Sequence, residues 1–162
     1  MGRSAVLLKG HALRLGIDAS HFGEDDVAPE RDDLQPSIEY LGRAGGMLAA
    51  AWFKLCGYSI SWPLEPCRFD LIVSNSKGED QQRVQVKTTT RKVGGHWIAS
   101  ITTSGRVKTA YDPDEIDDFF IIDSDLNYYL IPITAVGGLL ALQLNAYEQY
   151  KLPHVRPLGG IA

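Results

Sequence analysis

The chain has 162 residues, of which 44% are hydrophobic and 22% charged, and its formal net charge is −4. This composition suits one globular domain and excludes a wholly disordered chain. No apolar run reaches the ~18–20 residues that a membrane-spanning helix needs. Its two cysteines, Cys56 and Cys67, are spaced like neither a disulfide framework nor a metal clip. We therefore expect a cytoplasmic protein with reduced thiols and no membrane partner.

The predicted elements divide the chain into three regions. Residues 1–36 comprise a short helix, residues 6–15, and an acidic linker that contains two prolines. Residues 37–152 form the expected folded core. Residues 153–162, rich in glycine and proline, are expected to be a loose tail.

Within the core, apolar spacing predicts a helix that begins after Ser37 and ends at Gly57. Glycines 42, 45 and 46 inside it cost up to ~1 kcal/mol each relative to alanine. They indicate close approach to another backbone, or a helix that starts later.

Further along the core, alternating apolar residues predict strands. The predicted strands are residues 58–62, 69–73, 83–89, 96–102, 119–122 and 128–133. Residues 112–115 are expected to start a helix, and residues 139–150 to form a closing helix. This order predicts an α/β fold with a mixed central β-sheet flanked by helices.

The charges are distributed unevenly, and their distribution matters more than their sum. Residues 81–111 contain six Lys or Arg residues and no Asp or Glu, whereas acidic residues crowd residues 24–33 and 112–125. The middle third is therefore a basic segment that can attract phosphate groups. An ordinary solvated surface has the same pattern, and charge alone does not decide between the two.

The hairpin formed by the second and third predicted strands carries the candidate chemistry. Side chains alternate between the two faces of a strand, so Gln85 and Lys87 share a polar face, while Val84 and Val86 point to the other face. A turn near residues 77–78 can bring Asp70 alongside them. A carboxylate, an amide oxygen and an ammonium would then meet at one place.

This set of groups suits hydrolysis of a phosphodiester bond with Mg²⁺ or Mn²⁺. The Asp70 carboxylate, the Gln85 amide oxygen and the Val86 backbone carbonyl are ligands of the kind that Mg²⁺ prefers. Lys87 could orient a metal-bound water or stabilise charge on the reacting phosphate. The alternative is a hairpin with an ordinary polar face, which is common in antiparallel sheets.

Several segments in the same region resemble a known family. Gly42-x-x-Gly45 is followed by Cys56-Gly57-Tyr58, then by Arg68-Phe69-Asp70-Leu71-Ile72-Val73 and Arg83-Val84-Gln85-Val86-Lys87-Thr88. Over residues 37–150 this pattern resembles the PD-(D/E)XK nucleases, in the branch similar to group I intron-encoded homing endonucleases. The resemblance implies a restriction-endonuclease-like fold and a divalent metal. It further implies that Asp70 is a metal ligand, that Gln85 replaces the usual acidic residue and that Lys87 is the catalytic lysine.

The resemblance also carries expectations about partners. The expected partner is DNA, and the chain would come from a bacterium or a phage. One active site cuts one strand, so double-strand cleavage predicts a homodimer or homotetramer. The residues expected to contact DNA are Arg83, Thr89, Arg91, Lys92, His96, Arg106 and Lys108. The segment from Leu7 to Phe22 is similar to a small DNA-binding element found ahead of some phage and intron endonucleases, and it also fits an amphipathic helix packed on the core.

One position departs from the family pattern. The family places a glutamate directly after the second glycine of Gly-x-x-Gly, and here that residue is Gly46. Glu39 is the nearest upstream acid, seven residues away or ~10 Å along a helix. The open alternatives are a site with fewer carboxylates, recruitment of Glu39, and a DNA-binding or regulatory protein that cleaves weakly. Two further hypotheses are a Holliday-junction-resolvase-like nuclease and an unrelated α/β interaction domain.

Overall fold

The computed structural model describes residues 35–104 and 106–154. The predicted N-terminal helix, nearly all of the acidic linker and most of the predicted tail lie outside the described residues. No helix within the described ranges has the length and hydrophobicity that crossing a bilayer would require.

The helix predicted after Ser37 is present and packs on the sheet. Ser37 caps a 3₁₀ turn, Ile38–Tyr40, by accepting a hydrogen bond from the Glu39 backbone N–H at 3.3 Å. Helix α1 follows, Leu41–Leu55. Gly57 then adopts a left-handed φ of 88°, which ends the helix as the sequence predicts. The buried residues of α1 recur every four positions along its inner face: Leu41, Gly45, Ala49 and Phe53.

Eight strands follow the helix in the described part of the chain. They are β1 Ser59–Ser61, β2 Leu71–Ser74, β3 Gln82–Thr89, β4 Lys92–Val93, β5 His96–Ser100, β6 Asp118–Asp123, β7 Tyr128–Pro132 and β8 Ala141–Gln143. A five-stranded sheet has the order β1-β2-β3-β6-β7, in which β3 and β6 are parallel and the other neighbours antiparallel. The predicted α/β fold with a mixed central sheet is thereby confirmed. A second, three-stranded sheet has the order β4-β5-β8.

The central sheet is buried on both faces. One face packs on α1 through a cluster that includes Phe53, Val84 and Phe120. The opposite face packs on the second sheet through a cluster that includes Phe119 and Ile101. All six residues of β6 are buried, as expected of a central strand covered on both sides.

The predicted closing helix over residues 139–150 is wrong. The chain instead forms β8 and then 3₁₀ turns, Leu144–Tyr150, interrupted by non-helical angles at Tyr147. Leu142 and Leu144 are buried two residues apart, which is the period of a strand rather than a helix. β8 pairs with β5, with Leu142 opposite Ala99. An available strand edge therefore outweighed the helical spacing of the apolar residues.

The helix start predicted at residues 112–115 is also wrong. The Glu115 N–H donates to the Asp112 carbonyl at 2.9 Å, which closes a turn, and the chain then enters β6 at Asp118. An aspartate that bonds its own backbone two residues on favours a turn as readily as a helix cap, and here the Asp114 N–H donates to Asp112 Oδ1 at 2.9 Å. Strand β4 was not predicted. It pairs with β5 across Gly94 and Gly95, whose φ values of 57° and 83° suit a tight hairpin turn.

Candidate active site

The β2–β3 hairpin places Asp70 beside Gln85. Leu71 lies opposite Val84 in the ladder, and the Asp70 backbone N–H donates to the Val84 carbonyl at 2.9 Å. Asp70 therefore extends the ladder by one position, opposite Gln85. Its carboxylate oxygen Oδ2 accepts hydrogen bonds from the Val86 backbone N–H at 2.7 Å and from the Gln85 side-chain amide.

The Val86 carbonyl lies at the same place. The Gln85 amide Nε2 donates to the Val86 carbonyl oxygen at 3.2 Å as well as to Asp70. The three groups expected as metal ligands thus converge, with the amide between two oxygens. Rotating the Gln85 amide by half a turn would present its oxygen in place of its NH₂ group. The resulting donor set, a carboxylate and two neutral carbonyl oxygens, fits a hard divalent cation.

Lys87 is anchored on the same face of β3. Its Nζ donates to the Thr102 backbone carbonyl at 2.9 Å and to the Tyr111 hydroxyl at 3.0 Å. The same atom lies 4.9 Å from the centroid of the Tyr111 ring. An ammonium has three N–H donors, and these contacts use two of them.

Burial and charge perturb both ionisable groups of the site. Burial lowers the pKa of Lys87 below its ordinary value, and the positive charge of Lys108 adds to this, while Asp70 opposes it. Burial raises the pKa of Asp70, against the opposing effects of the Val86 N–H, the Lys87 charge and the Gln85 amide. A divalent cation beside Asp70 would favour its charged form.

These groups form the floor of a cleft of about 570 Å³. The first wall is α1, at glycines 42, 45 and 46, and the second is the loop between β1 and β2, from Trp62 to Cys67. Ser104, from the loop after β5, also lines the cleft.

The α1 glycines allow the helix to approach β3 closely. A Cβ at Gly45 would lie 2.6 Å from Thr88 Cγ2, closer than a Cβ comes to a non-bonded atom. At Gly42 the distance to Thr88 Oγ1 would be 3.7 Å. The predicted close approach is present, but the helix approaches side chains of β3 rather than the backbone of another element.

Gly46 faces the cleft at the helix position where the resemblance expects a glutamate. A Cβ there would lie 3.5 Å from the Trp62 ring, an ordinary van der Waals contact. The position therefore accepts a Cβ without displacing Trp62. Within residues 35–104 and 106–154, no three His, Cys, Asp or Glu side chains come together as a possible metal site. A metal in this cleft would therefore need amide and backbone oxygens in addition to the Asp70 carboxylate.

The acidic residues near the cleft differ from the sequence expectation. Glu39, the expected substitute ligand, is exposed in the turn before α1 and is not among the residues that line the cleft. Glu65, in the loop between β1 and β2, does line it. Sequence reasoning missed Glu65, although it is the one acidic residue between Glu39 and Asp70.

Three of the residues expected to contact DNA are engaged within the protein. Arg83 forms a bidentate ion pair with Asp117, in which the Nε–Oδ2 and Nη2–Oδ1 distances are both 3.0 Å. Thr89 is buried, and its hydroxyl donates to the Ile98 carbonyl at 2.6 Å. Lys92 pairs with Asp125 at 3.3 Å and lies 4.1 Å from the Trp97 ring centroid.

The other four expected residues are exposed. They lie on the β4–β5 hairpin (Arg91, His96) and on the loop after β5 (Arg106, Lys108). Lys108 is close enough to the cleft for its charge to lower the pKa of Lys87. The basic segment predicted from the sequence thus reaches the candidate site through this loop.

A solved structure shares this fold. The structure of a bacterial homing endonuclease, I-Ssp6803I, matches with a TM-score of 0.54 and 15% sequence identity, over 78% of this chain and 85% of that chain. No protein-family model matches the chain, and no curated protein matches it. At this identity the likeness concerns the fold alone. The chain has a nuclease-like mixed α/β fold that a homing endonuclease also adopts.

Proposed function

We propose that this chain is a metal-dependent DNA endonuclease that hydrolyses phosphodiester bonds with Mg²⁺ or Mn²⁺. The convergence of the Asp70 carboxylate, the Gln85 amide and the Val86 carbonyl beside Lys87 carries the proposal. The fold shared with a homing endonuclease supports it.

Asp70, Gln85 and Val86 would hold the metal in this proposal. A divalent metal held there would supply a Lewis acid for a phosphate oxygen and would make water a better nucleophile. The Val86 N–H fixes the Asp70 carboxylate through Oδ2. Rotation of the Gln85 amide supplies a second side-chain oxygen and removes a donor that would repel a cation.

Lys87 would act on the substrate. The Thr102 carbonyl and the Tyr111 hydroxyl orient its ammonium, which keeps one N–H donor for an oxygen of the phosphate or of the attacking water. A positive charge held in a half-buried position stabilises the negative charge that develops during hydrolysis.

DNA would be held by local rather than overall charge, because the whole chain is acidic. Lys108 beside the cleft, Arg106 on the same loop, and Arg91 and His96 on the β4–β5 hairpin are exposed and can meet the phosphate backbone. Since one cleft cuts one strand, we propose a dimer or tetramer for double-strand cleavage.

A second candidate function is DNA binding with weak cleavage. Gly46 favours it, because the cleft wall lacks a carboxylate where the resemblance expects one. Fewer charged oxygen ligands weaken a Mg²⁺ site. The two candidates share the DNA interface and differ in the rate of hydrolysis.

The test is incubation of the full chain with supercoiled plasmid and with four-way junction DNA, with Mg²⁺, with Mn²⁺ and with no metal. We expect metal-dependent nicking that disappears in Lys87→Ala and persists in Lys77→Ala, an exposed lysine of the β2–β3 turn. Binding without cleavage in every metal would favour the second candidate. Absence of DNA affinity at low salt would contradict both.

A further inference from the structure

Two large apolar side chains are exposed at the edge of the candidate active site. Leu64 is 100% exposed and Trp62 is 53% exposed. Both line the cleft that contains Asp70 and Lys87. Single exposed apolar residues are common, but these two lie in one short loop and give the edge of a polar cleft a small apolar surface.

The loop that carries Trp62 and Leu64 is restricted in its conformation. Pro63 and Pro66 fix their own φ and restrict the backbones of Trp62 and Glu65, the residues directly before them. The Trp62 ring lies against α1, where a Cβ at Gly46 would be 3.5 Å from it. A side chain held in place before binding loses little conformational freedom when a ligand arrives.

The chemistry of the surface suits a nucleobase. Bases stack on exposed aromatic rings, and leucine is one of the apolar side chains that proteins insert between base steps. The neighbouring positive charges, Lys87 in the cleft and Lys108 beside it, suit the phosphates on either side of such a base. A continuous duplex must unstack to reach this surface, whereas an unpaired base need not.

We propose that Trp62 and Leu64 form a wedge that receives unpaired DNA bases. The preferred substrate is then DNA with unpaired bases, such as a bulge, a branch point or a flap, rather than continuous duplex. This inference rests on the proposed function, because it takes DNA as the ligand of the cleft.

The test compares the binding of the full chain to a continuous duplex and to the same duplex with a short bulge that contains 2-aminopurine. Binding is followed by fluorescence anisotropy without divalent metal, so that cleavage does not interfere. We expect about tenfold tighter binding to the bulged DNA, the size of one base stacked on an aromatic ring. The 2-aminopurine emission should fall as the base stacks.

Leu64→Ser and Trp62→Leu should each bring the ratio of the two affinities close to one. The matched control is Leu55→Ser, which alters a leucine 69% exposed near the end of α1, outside the cleft, and should keep the wild-type ratio. Because Leu64 is fully exposed, its replacement leaves the fold intact even if Trp62→Leu destabilises the protein.

Equal affinities for the two DNAs in the wild type, or a ratio unchanged in Leu64→Ser, would overturn the wedge. Plasmid nicking that depends on Lys87 would then show that the proposed function survives. If no DNA binds and no plasmid is nicked, both proposals fail.

Discussion

Thr88 of β3 lies against Gly45 of α1 so closely that a Cβ on residue 45 would come within 2.6 Å of the Thr88 Cγ2 atom. The contact sets the distance between the helix and the strand that carries Gln85 and Lys87. Gly45 and Thr88 both line the cleft, so the contact also fixes where this wall of the cleft meets its floor.

This contact predicts opposite effects of alanine at two adjacent glycines. Gly46→Ala should raise the free energy of unfolding by about 0.5–1 kcal/mol, the usual gain for alanine within a helix. Gly45→Ala should lower it by about 1 kcal/mol, because overpacking costs roughly 1–3 kcal/mol and exceeds that gain. Denaturant unfolding measures both. Equal stabilisation by the two changes would show that the Thr88 side chain moves aside at no cost in free energy.

Gly46→Glu should strengthen the metal site. The position lines the cleft and accepts a Cβ, and a carboxylate there would add a charged oxygen ligand. We expect at least about tenfold tighter Mn²⁺ binding by calorimetry, a gain of ~1.4 kcal/mol, together with faster nicking. Gly46→Gln is the control of equal size and no charge. The idea of an emptied ligand position is wrong if the two variants behave alike.

Lys87→Met should abolish nicking while raising thermal stability. Burial lowers the pKa of Lys87, so the folded state binds this proton less tightly than the unfolded state does. The charged lysine therefore destabilises the fold at every pH below its lowered pKa. The penalty disappears as the pH rises from that pKa toward the ordinary value of 10.5.

Melting temperatures measured from neutral pH to pH 10.5, the ordinary pKa of lysine, check this pH dependence. The advantage of Lys87→Met should be largest at neutral pH and shrink as the pH rises. Lys77→Met is the control and should change neither activity nor stability. A less stable Lys87→Met at neutral pH would mean that the bonds to Thr102 and Tyr111 outweigh the cost of burial.

Asp117→Asn should destabilise the fold at neutral pH, because Asp117 holds both the side chain and the backbone N–H of Arg83. The Arg83 hydrogen bond lowers the pKa of Asp117 below its ordinary 3.8. The stabilisation is thus fully present above that value and is lost as the pH falls through the lowered pKa. Unfolding at several pH values should show the difference from wild type vanishing in acid. Asp114→Asn, which keeps the backbone carbonyl that Arg83 bonds, is the control.

The parts of the structure that follow from local pattern were predictable. The β2–β3 hairpin follows from alternation on each side of a turn at Gly78, and its register brings Asp70 to Gln85. The end of α1 follows from Gly57, whose left-handed backbone suits glycine.

The parts that depend on distant partners were not predictable from spacing. Residues 139–150 have apolar spacing that both a helix and a strand accept, and the edge of β5 decides between them. Arg83 pairs with Asp117, 34 residues away, so its basic charge is not free as sequence reasoning assumed. Glu65 and Trp62 lie in an irregular loop, where no periodicity predicts which side chain meets the cleft.

Whether Asp70 holds a divalent metal is decided by calorimetry of Mn²⁺ binding to the wild-type chain, to Asp70→Asn and to Asp80→Asn. Asp80 is an exposed aspartate of the same hairpin, bonded to Asn75 away from the cleft, and its left-handed backbone accepts asparagine. We expect that wild type and Asp80→Asn bind Mn²⁺ and that Asp70→Asn does not. Mn²⁺ binding that survives unchanged in Asp70→Asn, or is absent from the wild type, would contradict it.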